Sequence, residues 1–132
     1  MSPLTLPPAQ ADEIEEVIDL GADEVVRQLS AALSRAIVAL VAGVSETKLV
    51  GKWERGAVTP QHDRELALKT ALQIVRILQP RYRNRSIVTW LCGVNPRLDG
   101  TSPAEILSAL ATHYDPENVR RILNAATAFA TR

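Results

Sequence analysis

The chain is punctuated at helix spacing along its whole length. Apolar residues recur three and four positions apart, and each run is bounded by a residue that starts or stops a helix. No segment alternates apolar and polar with the period of two that a half-buried strand needs. Ile14, Val17 and Ile18 mark a short amphipathic helix that ends near Gly21, after a tail kept extended by Pro3, Pro7 and Pro8. From Asp23 a second stripe runs through Val26, Leu29, Leu33, Ile37 and Leu40, with Ser34 placed to break it and cap a new helix. Gly43 interrupts the pattern, Ser45 or Glu46 reopens a helix through Leu49, Val50 and Trp53, and Gly56 closes it. Ala67, Ala71, Ile74, Val75 and Leu78 give a long helix over 63–79, stopped by Pro80.

The second half carries its own start signals. Ser86 is positioned to cap a short helix holding Ile87, Val88, Trp90 and Leu91, which Gly93 would end. Asn95-Pro96 and Asp99-Gly100 are turn pairs. Ser102-Pro103-Ala104-Glu105 is a capping box with proline at the first helical position, and Asp115-Pro116-Glu117 repeats the device. Val119, Ile122, Leu123, Ala126 and Ala130 give the last helix an apolar face. The expected fold class is all-α, and with 4% aromatic residues the core must be built from Leu, Ile, Val and Ala.

Charge is distributed more informatively than its zero sum. Met1 to Val26 hold seven acids and no base, whereas from Arg27 onward fifteen bases stand against eight acids. A basic body can hold phosphates, and an acidic arm can dock on a basic partner, compete with DNA or simply solvate a helix face. The single cysteine, Cys92, excludes an internal disulfide and a Cys-rich zinc site; beside Trp90 and Leu91 it reads as a small buried apolar residue. The longest apolar stretch, 36–44, is far short of the roughly 20 residues that span a bilayer, so a cytoplasmic protein without membrane attachment is expected. His62 and His113 are far apart in sequence, and no phosphate loop, paired metal ligands or nucleophile elbow appears. No catalytic residue, metal or cofactor is expected.

Residues 36–56 have the arrangement of a helix-turn-helix: a short helix, a glycine-containing turn and a second helix ending in Lys52-Trp53-Glu54-Arg55-Gly56. In this reading the first helix buries Ile37, Leu40 and Val41, and the second buries Val50 and Trp53. Ser45, Glu46, Thr47, Lys48, Lys52 and Arg55 then face a DNA groove, the cations on phosphates and Thr47 or Lys48 near base edges.

The run Trp90-Leu91-Cys92-Gly93-Val94-Asn95-Pro96-Arg97-Leu98-Asp99-Gly100-Thr101-Ser102-Pro103-Ala104-Glu105-Ile106-Leu107 resembles the signature of the Xre/MbcA/ParS-like antitoxins. In that signature an aromatic-containing helix leads to an Asn-Pro-x-Leu turn, a glycine, a Ser/Thr-Pro pair and a leucine-containing helix. Residues 43–60 also look like the family's helix-turn-helix, so the resemblance covers about 23–132. The turn after Gly43 is one residue longer than in the commonest motifs of this type, and the acidic segment 12–24 looks like an extension. The resemblance implies three parts: an acidic extension over 1–22, a helix-turn-helix region with its long connecting helix over 23–80, and toxin-binding helices over 81–132. It also implies a RES-type toxin as partner, an NAD-degrading enzyme whose cleft the end of the last helix covers. Carried onto this chain, that role falls on Ala126, Phe129, Ala130, Thr131 and Arg132, with Phe129 an anchor and either Arg132 or the terminal carboxylate in an anion or polar site of the cleft. By the same resemblance the protein is a homodimer that binds its operator DNA. A stand-alone regulator whose C-terminal helices serve dimerisation, and an adaptor whose helix-turn-helix binds protein, are the other readings.

Overall fold

The structure, a computed structural model, describes residues 16–132. Among these the elements are α1 (Ala22–Leu33), α2 (Arg35–Ala42), α3 (Thr47–Glu54), α4 (His62–Leu78), α5 (Asn84–Cys92), a 3₁₀ turn (Pro96–Leu98), α6 (Pro103–Thr112) and α7 (Pro116–Ala130). The described chain is all-α, with no strand. Residues 16–18 are also helical. Val17 is fully buried there, but Ile18, read as part of the same apolar face, is 55% exposed. Ile14, the acids Asp12, Glu13 and Glu15, and the proline-bearing tail lie outside the described residues.

Two expected caps close as their sequences require, and a third forms at Asn95, which the sequence marks only as part of a turn pair. The Ser102 hydroxyl accepts the Glu105 amide at 3.1 Å, the Asp115 carboxylate accepts the Glu117 amide at 3.1 Å, and the Asn95 side chain accepts the Arg97 amide at 2.9 Å. Each is followed by proline at the first helical position, where the missing amide donor costs nothing. Ser34 separates α1 from α2, accepting the Ile37 amide at 3.4 Å. The start of α5 differs from expectation. Ser86 does not cap it; the helix begins at Asn84, because the Arg83 carbonyl already accepts the Ile87 amide at 3.1 Å.

Helix α4 is the central element, packed against α1, α2, α6 and α7. Its Ala67, Ala71, Ile74, Val75 and Leu78 are buried as the periodicity predicts. One apolar cluster runs from Val17 through Trp53, Ile74 and Leu107 to Ala126, so the 23–80 and 81–132 segments share a core. Leu98 is 1% exposed and plugs the space between helices, carried there by the 3₁₀ turn. Two burial expectations fail. Leu40 is 49% exposed, and α2 buries Val38, Ala39, Val41 and Ala42 instead, since the packed face of this helix is rotated from the stripe that α1 begins. Cys92 is exposed, because α5 turns Ile87 and Leu91 inward and ends one residue after Leu91.

Candidate nucleic-acid interface

The path from α2 to α3 is set by Gly43. Its left-handed backbone (φ 71°) ends α2 and lets the Val44 amide reach the Ala39 carbonyl at 3.0 Å. Residues 43–46 then carry the chain to α3, whose N-terminal flank is Glu46 in an extended conformation. Within α3, Val50, Gly51 and Trp53 are buried. Ser45, Glu46, Thr47, Lys48, Lys52 and Arg55 are all exposed, which brings the six residues singled out from sequence to the solvent side of one turn and one helix. Lys48, Lys52 and Arg55 stand at helical i, i+4 and i+7 spacing, so they share a face. None of these three side chains has a hydrogen bond or ion pair among the described residues.

What fixes α3 is its last residue. The Glu54 carboxylate accepts the Ser30 hydroxyl at 2.8 Å and two Arg35 donors, Nε at 2.9 Å and Nη2 at 2.8 Å. Its backbone carbonyl accepts Arg27 Nη1 at 2.7 Å. The Glu54 side chain is 14% exposed, and the paired Arg35 guanidinium holds its carboxyl below the usual carboxylate range, aided by Ser30 and opposed by burial. Residues from α1 and α2 thus clamp the end of α3. Arg27 is itself aligned by Glu24, at 2.8 Å, and by Asp23, at 3.4 Å. Neither Arg35 nor Ser30 was legible as part of this site, because the side chains that meet are 19 and 24 residues apart.

At the other end of the molecule, the residues assigned to toxin binding divide by burial. Ala126 is in the core, Phe129 and Ala130 are half-buried, and Thr131 and Arg132 are exposed. The Phe129 ring stacks on Tyr82, with centroids 4.3 Å apart, and on Trp90, at 5.9 Å. Tyr82 also donates its hydroxyl hydrogen to the Phe129 carbonyl at 2.8 Å, and Arg81 donates to the Arg132 carbonyl at 2.6 Å. The Arg132 guanidinium lies 5.4 Å from the Phe129 ring centre. Beside this stack lies a groove of about 340 Å³ lined by Trp90, Val94, Arg97, Phe129 and Arg132. Val94 is 80% exposed at its edge, the most exposed of the large apolar side chains described. Tyr82 was not singled out from sequence, and only its position between two arginines could have drawn attention to it.

Among the described residues no His, Cys, Asp or Glu side chains gather in a group able to hold a metal ion, and no helix is long and apolar enough to cross a membrane. No protein-family model, curated protein or solved structure matches this chain.

Proposed function

We propose that this protein is a DNA-binding regulator of the antitoxin type, with α2 and α3 as its helix-turn-helix and the end of α7 as its contact with a RES-type, NAD-degrading toxin. The observation that carries the reading is the exposed cationic face of α3. Three cations stand there outside any ion pair of the described residues, while the opposite face, Val50 and Trp53, is fully packed and Glu54 is tied to two other helices. Cations on a rigidly held helix are what phosphate contact requires, and rigidity reduces the entropy lost on binding. In this account the protein is not an enzyme, uses no cofactor, acts in the cytoplasm and pairs as a homodimer, so that two copies of α3 read half-sites about one helical turn apart.

The antitoxin half rests on the resemblance of 90–107 and is supported by the groove beside Phe129. The packing of Phe129 decides which variants can test it. A chain cut after Ala125 would remove the ring from between Tyr82 and Trp90 and so damage the fold, whereas Thr131 and Arg132 are exposed and can be altered cleanly. Co-expression of the intact protein with a RES-type toxin should give a co-purifying pair and restore growth. Arg132→Glu should weaken both while leaving the thermal midpoint near that of wild type. No co-purification and no rescue by the intact protein would leave the stand-alone regulator, the reading favoured by the burial of Phe129 against its own chain.

A further inference from the structure

We propose that the groove beside Phe129 seats an acidic segment of a partner protein, with one carboxylate side chain held by Asn95, Arg97 and Arg132. A neighbouring apolar side chain of that segment lies against Trp90 and Val94; the proposal rests on the reading of this end of the molecule as a protein contact. Asn95 carries the argument. It is only 9% exposed, lines the groove and starts the 3₁₀ turn. Its backbone amide donates to the Thr101 carbonyl at 3.2 Å, and its carbonyl accepts the Leu98 and Gly100 amides at 3.0 and 2.9 Å. Its Oδ1 accepts the Arg97 amide at 2.9 Å, which fixes the orientation of the side chain, since only the oxygen can take that hydrogen. The Nδ2 group is left with two N–H donors and no acceptor among the described residues. A donor buried this far is costly to leave unmet, so an acceptor arriving in the groove gains what the folded chain alone forgoes.

The rest of the lining matches one kind of ligand. Arg97 is exposed, and its guanidinium has no hydrogen bond or ion pair among the described residues. Arg132 adds a second guanidinium, set against the Phe129 ring but with no acidic side chain paired to it among those residues. No acidic side chain lines the groove, so its polar side chains offer donors and call for a negatively charged acceptor. A carboxylate answers this, because its two oxygens can take an amide and a guanidinium together. The apolar part extends past the groove to Val94, 80% exposed at its edge, a surface that a chain passing across it covers and a single small anion does not. Single-stranded nucleic acid fits less well. It binds by stacking bases on aromatic faces, and the Phe129 ring already has Tyr82, Trp90 and Arg132 of its own chain against it.

The test presents a phage-displayed random heptapeptide library to the immobilised full chain, then follows the enriched, fluorescently labelled peptide by anisotropy, with thermal unfolding of each variant alongside. Enriched sequences should place Asp or Glu beside a large apolar residue, and changing that acid to its amide should weaken binding about tenfold. Asn95→Asp keeps an oxygen for the Arg97 amide but replaces the NH2 donors with negative charge. It should hold the thermal midpoint near that of wild type and weaken peptide binding by more than about tenfold. Arg97→Gln, at an exposed position, should weaken it about tenfold, and decides alone if Asn95→Asp proves unstable. No enrichment, enrichment of sequences without acids, or wild-type affinity in a stable variant overturns the seat. A labelled oligothymidylate bound through Arg97 in place of the peptides overturns it as well. A RES-type toxin that co-purifies equally with wild type and Asn95→Asp overturns the seat but leaves the toxin reading standing. Peptide binding as expected without toxin co-purification upholds the seat and removes that toxin as its partner.

Discussion

Gly43 turns left-handed at the point where a Cβ would stand 3.0 Å from the Ser108 hydroxyl and 3.4 Å from its carbonyl oxygen. Two costs coincide for any larger residue: the positive φ and the crowding against α6. Gly43→Ala should lower stability by about 2 kcal/mol, read from urea unfolding, with neither cost relieved elsewhere. Ser34 presents the opposite case. Its φ of 95° and ψ of 155° lie in a region nearly reserved for glycine, which costs a non-glycine residue about 1–3 kcal/mol. Its cap to Ile37 is long, so replacing the hydroxyl forfeits little. Ser34→Gly should therefore raise stability by about 1 kcal/mol, and a thermal midpoint below wild type would show that the hydroxyl matters more than the backbone strain.

At the scale of elements, the legible features were those whose partners are neighbours in sequence. A hydroxyl or carboxylate two or three residues before the amide it caps leaves a local signature, and Ser102 and Asp115 close as written, while Asn95, marked only as a turn residue, also accepts the Arg97 amide. Ser102→Ala should cost about 1 kcal/mol in unfolding free energy, the usual worth of such a cap, and loosen the start of α6. Features set by distant partners were not legible. Leu40 and Cys92 are exposed because of which helix faces lie against α2 and α5, and periodicity within one helix carries no record of its neighbours. The clamp on Glu54 joins three helices and left no local pattern, whereas the six exposed residues of the turn and α3 were singled out through the helix-turn-helix arrangement.

That clamp has a pH signature. The carboxyl of Glu54 is lowered in the folded state, so its contribution is present above the unfolded carboxylate value and is lost as pH falls through the lower folded one. Acidification should therefore release α3 from α1 and α2. Glu54→Gln should be less stable than wild type at neutral pH and lose less stability on going to acid, measured as unfolding free energy against pH. Parallel curves for the two proteins would mean that the carboxylate is not a paired anion in solution.

For the whole molecule, α4 packs against α1 and α2, which hold α3, and against α6 and α7, all within one apolar cluster, so the proposed DNA face and the groove beside Phe129 sit on a shared scaffold. That arrangement is legible from sequence only in outline: the period specifies the all-α class, but the placement of α6 against both α2 and α4 depends on packing between segments far apart in the chain. Charge is likewise a property of the whole, with acids gathered before Arg27 and a basic surplus after it. In the DNA-binding reading the basic surplus on α3 engages duplex phosphates. Its most direct test is the salt dependence of duplex binding by the intact protein and by the Lys48→Gln, Lys52→Gln double variant. Affinity should fall steeply with salt in wild type, with a slope smaller by about 1.8 in the double variant, one share for each phosphate no longer neutralised. Salt-independent binding, or a double variant with the wild-type slope, would contradict it.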